Sequence, residues 1–231
     1  MVLGLLKTQG VRPYSELVSD ESAWPAIAGL FANARSPIRL LPSDLHAART
    51  CLESMQVSTR STLGSIAYQT GGVLIDYGWI RLLGSGHPAL TRRLGQWNAQ
   101  LRIPLSSFVL VGDDAVGGIF ALDGGGLGAR RGNICYFAPT SLEWHDMMFG
   151  YTGFLQWLTS VDLDAWYRDL RWPSWRDDVS ALAADHSFAL FPPPSTLEGK
   201  DVSAATRRAV PAAGLWRLNL DVRRSSRQIA Q

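Results

Sequence analysis

Cysteine, clustered histidine, net charge and long apolar runs are all scarce in this sequence, and each scarcity removes a class of function. Two cysteines, Cys51 and Cys135, in 231 residues are too few for a secreted disulfide scaffold. Cys51 falls in a helical pattern and Cys135 inside an apolar run, so both read as small buried hydrophobes. Neither has an adjacent basic residue or helix start that would lower a thiol pKa. The four histidines, His46, His87, His145 and His186, stand alone, without a second His or Cys at a zinc-chelating spacing. Ser85, in GSGH, lacks the G-x-S-x-G elbow of a nucleophilic serine. A net charge of +2, carried by scattered arginines, offers no cluster to neutralise phosphates, so nucleic acid is not an expected partner. RRSSR, Arg223 to Arg227, is the one locally basic stretch, and it reads as a fraying polar tail. No apolar run nears the roughly 20 residues that cross a bilayer. The opening MVLGLLKTQG is also shorter than the apolar core of a secretory leader. The expectation is a cytoplasmic chain with no membrane association, cofactor or metal.

Apolar residues, by contrast, are plentiful. At 46% hydrophobic, with nine tryptophans, the chain can bury a full core. Helical spacing runs through Trp24, Ile27 and Phe31 behind Ser22, with Pro25 in the first turn, where its missing donor is harmless. After a break at SPIRLLPSD it runs through Leu45, Ala48, Leu52 and Met55 behind Ser43. STLGSIAYQT predicts a short helix stopped by Gly71–Gly72. VLIDYGWIRLLG predicts a strand or a tight pair bending at Gly78. Pro88 is expected to open a helix carrying Leu90, Leu94 and Trp97. Four short segments, 108–111, 117–122, 133–137 and 142–147, are each bounded by Gly, Asp, Pro or Asn, the pattern of an antiparallel meander.

Helices return after Gly150, after Asp162 and after Ser174, the last with a capping-box pattern to Asp177. FALFPPPS is expected to end regular structure. WRLNLDV alternates Trp216, Leu218, Leu220 and Val222, which favours a strand, although AAGLWRL also carries helix formers. Helices, clustered strands, then helices give an α+β class: a mainly antiparallel meander sheet packed by helices. The expected division is a lead segment over 1–20, an α+β core over 21–160, and a C-terminal extension of helices, Pro-rich stretch and final strand over 161–231.

The stretch FVLVGDDAVGGIFALDGG places Asp113 and Asp114 side by side. Neighbouring strand residues face opposite ways, so the pair cannot share one substrate within a strand. Between two apolar runs, aspartates that bond their own backbone make a hairpin connection. A catalytic version needs further acids to converge on them, with Asp123, Glu143 and Asp146 as the candidates. GGGLGARRG contains G-x-G-x-x-A, but a strand sequence follows where a dinucleotide site needs a helix. That segment reads as a mobile hairpin loop, with Arg130 and Arg131 as solvated charges. Trp24, Trp157 and Trp166 sit on helical apolar faces and read as core. Trp79 and Trp144 lie in strands, either under a helix or on a face open to a partner.

Three segments carry a family resemblance. ESAWPAIAGLFANA, then QVSTRSTLGSIAYQTGGVLIDYGWIRLLGSG, then DDAVGGIFALDGG running on through GNICYFAPTSLEWHDMMFGYTGFLQWL resemble domain-of-unknown-function family 2625. The likeness extends from about Glu21 to Val222 and includes GKDVSAATRRAVP. A looser likeness over about 60–160 is to the core of the SUKH superfamily. Its hairpin with an acidic, Gly-rich turn, its following strands and its helix ending FLxxL are matched here up to GFLQWL. The SUKH likeness implies an α+β sheet packed by helices and, for many members, toxin-neutralising immunity by protein contact, with no catalytic residues. The extension after Ser160 departs from that pattern.

The leading expectation is therefore a non-catalytic, immunity-like protein-binding module, monomeric or homodimeric, whose partner is another protein such as a toxin. Trp79 and Trp144 would anchor the contact, with Asp113, Asp114 and Glu143 as an acidic rim suited to a basic target. The alternative is a small-molecule or metal-dependent enzyme using Asp113, Asp114, Asp123 and Glu143.

Overall fold

The fold is taken from a computed structural model, which describes residues 11–229. The MVLGLLKTQG start lies outside the described residues. Helices α1 (Tyr14–Leu17) and α2 (Trp24–Ala32) lead into strand β1 (Ile38–Pro42), then helices α3 (Leu45–Met55) and α4 (Thr62–Gln69). The hairpin β2 (Thr70–Ile75) and β3 (Ile80–Leu83), helix α5 (Leu94–Gln100), and strands β4 (Phe108–Asp114), β5 (Ile119–Asp123), β6 (Asn133–Ala138) and β7 (Glu143–Gly150) follow. Helices α6 (Tyr151–Ser160), α7 (Leu163–Trp166) and α8 (Trp175–Ala181) precede a ribbon of β8 (His186–Phe191) and β9 (Thr206–Pro211), and helix α9 (Ala212–Ile229) completes the order.

Strands β1 to β7 form one antiparallel sheet in chain order, which is the expected α+β meander extended to seven strands. Its central strands are buried along their length because helices cover both faces. On one face Tyr136 and its register partner Phe120 meet α6, with the Phe120 and Phe154 rings 4.9 Å apart. On the other, Phe137 and its register partner Trp144 meet Trp216 of α9, at 5.0 and 5.9 Å. A strand buried on both faces reads as a nearly continuous apolar run, as FVLVG does.

Local chemistry sets the element ends. Asp44 rather than Ser43 caps α3, accepting from the Ala47 amide, and Ser61 and Asp162 cap α4 and α7 in the same way. Ser22 accepts from the Trp24 amide at the start of α2. Ser174 makes no cap bond to its own helix backbone; its hydroxyl donates to Asp178. The helix expected at Pro88 starts six residues later, at Leu94, after a tight turn bridging His87 and Leu90.

Four expectations are corrected. SPIRLLP is not a break but the edge strand β1. FALFPPPS does stop a strand at its prolines, β8 ending at Phe191, but regular structure resumes in the polar stretch after it with β9. The segment WRLNLDV is helix, and RRSSR continues it as backbone of α9 rather than a frayed tail. Its burial follows helical spacing: Ala212, Leu215 and Trp216 are buried, whereas Leu218 and Val222 are 56% and 42% exposed.

Candidate functional site

Asp113 and Asp114 end β4 and point to opposite faces of the sheet. Asp113 meets its register partner Arg81 through Nε at 2.7 Å and also takes Arg92. The Arg81 Nη1 donates to the His186 carbonyl at 3.0 Å, and its Nη2 donates to the Asp114 carbonyl and the Ser187 hydroxyl at 2.9 and 2.8 Å. Arg92 reaches on to Asp185 at 3.2 Å. Burial alone would push the Asp113 carboxyl up, but the two guanidiniums outweigh it and hold the pKa below the ordinary range.

Asp114 has the turn role foreseen for the pair. Its Oδ1 accepts from the Val116 and Gly118 amides at 3.0 and 2.7 Å, closing the β4–β5 hairpin. Its Oδ2 accepts from the Tyr136 and Tyr167 hydroxyls at 2.7 and 3.3 Å. A Cβ at position 118 would lie 2.0 Å from that Oδ2, so the turn admits only glycine there. Burial dominates the titration of Asp114 and raises its pKa despite these donors.

The remaining acids of the catalytic alternative have separate duties. Asp123 accepts from the Gly125, Leu127 and Ala129 amides at 2.7 to 3.1 Å, so the glycine-rich β5–β6 loop is laced to a carboxylate. Asp146 accepts from Asn133, and Glu143 takes Arg223 at 2.7 Å. Among the described residues no group of three or more His, Cys, Asp or Glu side chains is arranged to hold a metal ion.

The structure corrects the placement expected for three of the proposed contact residues. Asp113 and Asp114 are buried, and so is Trp79. Trp79 lies beneath the segment that follows α7, its ring 5.3, 5.8 and 5.2 Å from Tyr167, Trp172 and Trp175. The Arg171 guanidinium sits 4.7 Å over it and pairs with Asp76. This cation and these rings close the face that Trp79 was expected to offer.

Glu143 and Trp144 keep a place at the surface. Half-buried Trp144 lies 5.6 Å from half-buried Phe108 and 5.9 Å from Trp216, which is buried beneath them, and the three line the floor of an open groove of about 900 Å³. Its walls come from α9, from the α5–β4 connection with Leu101 and Arg102, and from the glycine-rich loop at 126–128. Arg217, Arg223 and Arg224 project from α9, with Asp221 among them. Sequence reading found Trp144 but not Phe108, Trp216 or these arginines. The available signal was helical: Leu215, Trp216, Leu220 and Arg223 follow a spacing that puts them on one side of a helix.

The model of a family described as "Protein of unknown function DUF2625" matches residues 14–215. The uncharacterized protein YbfG of Escherichia coli (strain K12) is 38% identical over 219 residues, covering 94% of this chain and 100% of YbfG. An uncharacterized protein of Haemophilus influenzae is 41% identical over 182 residues, covering 77% of this chain and 80% of the relative. No solved structure matches. The likeness to the SUKH superfamily therefore stays one of sequence pattern.

Proposed function

We propose for this chain, which belongs to the DUF2625 family, a non-catalytic role: binding another protein through the groove floored by Trp144. The observation that carries the reading is the half-buried pair of Phe108 and Trp144, backed by the buried ring of Trp216, in a groove of about 900 Å³. Rigid aromatics at the floor of a concave surface bury large area for few rotatable bonds and are the usual centres of binding energy. The acids that an enzyme would need are separately committed: Asp113 to Arg81, Asp114 to its turn, Asp123 to its loop. An immunity-like form of that role rests on the resemblance of the sequence to the SUKH core alone.

The test compares capture of partner proteins by the wild-type chain and by Trp144→Ala, each shown to be folded by circular dichroism. The reading expects a specific partner held by the wild type and lost from the variant. The same partner held equally by both would contradict it.

A further inference from the structure

We infer that the occupant of this groove is an acidic polypeptide segment carrying an aromatic or branched apolar side chain, an inference that rests on the groove being the binding site. The rim is basic, but not all of its charge is available. Arg223 is matched by Glu143 at 2.7 Å, and Arg224 by Asp221 at 3.4 Å. Arg102, on the α5–β4 connection, and Arg217, on α9, are exposed and have no acidic partner among the described residues. They leave two uncompensated positive charges on different walls of a groove whose floor is aromatic. A ligand complementary to both features offers carboxylates to the walls and an apolar group to the floor.

The same surroundings argue against a nucleotide or a nucleic acid. A phosphate cradle needs loop amides turned outward. Here the amides of Gly125, Leu127 and Ala129 are directed at Asp123, and those of Gly124 and Gly126 at the Ser107 carbonyl. Two free arginines are also fewer than a nucleic-acid strand needs to displace its counterions. The inferred partner is opposite in sign to the basic target expected from the sequence, because Asp113 and Asp114 are buried and Glu143 is neutralised by Arg223.

The experiment titrates the full chain against three labelled probes by fluorescence anisotropy. They are a peptide alternating Glu or Asp with Phe and Leu, the same peptide with Lys for each acid, and a single-stranded oligonucleotide of similar length. The acidic peptide is expected to bind, and the Arg102→Glu, Arg217→Glu double variant is expected to weaken it by about tenfold or more. Lysine peptide binding is expected only to the double variant. No binding of the acidic peptide, equal binding by the double variant, or preference for the oligonucleotide would overturn the inference. The capture experiment with Trp144→Ala separates the two levels. If Trp144→Ala loses the partner while the double variant keeps it, the groove stands as the site and the acidic occupant falls. If Trp144→Ala keeps the partner, the site itself falls.

Discussion

Removing the charge of Asp113 leaves the Arg81 and Arg92 guanidiniums facing a neutral group inside the fold, whereas removing that of Asp114 leaves no cation behind. Breaking one side of a buried pair costs about 3–5 kcal/mol, so Asp113→Asn should lose stability on that scale in urea unfolding at pH 7. Asp114→Asn should stay within about 1 kcal/mol of wild type. Its oxygen still accepts from Val116 and Gly118, and its amide can donate to the Tyr136 and Tyr167 hydroxyl oxygens. The two positions also differ in the sign of their pH dependence. Asp113 titrates below its unfolded value of about 3.9, so its contribution is present above that pH and lost as pH falls through its folded pKa. Asp114 titrates above its unfolded value, so its carboxylate costs stability as pH rises through the folded pKa. Relative to wild type, Asp114→Asn should therefore gain stability as pH is raised from about 4, and Asp113→Asn should lose least below that pH. Parallel slopes for both variants would contradict these roles.

At the scale of elements, two segments make separate demands. The glycine-rich loop takes its shape from three amide bonds to Asp123. Asp123→Ala should free it, and tryptic cleavage at Arg130 and Arg131 should speed up by about tenfold or more while the rest of the fold persists, since local opening governs such cleavage. Helix α9 can be separated from the alternative strand by two substitutions. A strand would put Leu218 on the buried side with Trp216, whereas the helix buries Leu215 and leaves Leu218 exposed. Leu218→Glu should change stability by no more than about 0.5 kcal/mol. Leu215→Glu, which buries a charge without a partner, should cost about 3 kcal/mol.

That segment also shows how far pattern alone reaches. Helices with caps and a wide apolar stripe, such as α3 and α4, were legible, and so were β4 to β6, because two-faced burial writes an apolar run bounded by turn residues. The partly buried edge strand β7 was legible from its aromatic residues and bounding turns. Strand β1 was not, because an edge strand with a Pro and an Arg carries a weak signal. Strands β8 and β9 pair only with each other, so neither needs the apolar run of a central strand. In α9, alternation at four positions competed with a helical stripe, and contact with Phe137 and Trp144 decided the outcome. Asp114's turn role was legible from local chemistry. Asp113's partners were not, because Arg81 and Arg92 lie 32 and 21 residues away along the chain and reach it only through tertiary packing.

On the scale of the whole molecule, the sheet divides the chain's polar chemistry into an interior and an exterior part. Interior carboxylates tie β3, β4 and β8 together or close turns. The groove beside α9 gathers its aromatic and basic groups from four stretches of sequence that only the complete fold brings together. Binding by that groove and structure by those acids are a single claim, so one comparison tests both. Partner capture should be measured side by side for wild type, Trp144→Ala and Asp114→Asn, with each variant's unfolding curve taken on the same preparation. The expected result is capture retained by Asp114→Asn and lost by Trp144→Ala, with both folded. Capture lost by a folded Asp114→Asn and retained by Trp144→Ala would place the functional centre among the buried carboxylates and contradict the assignment.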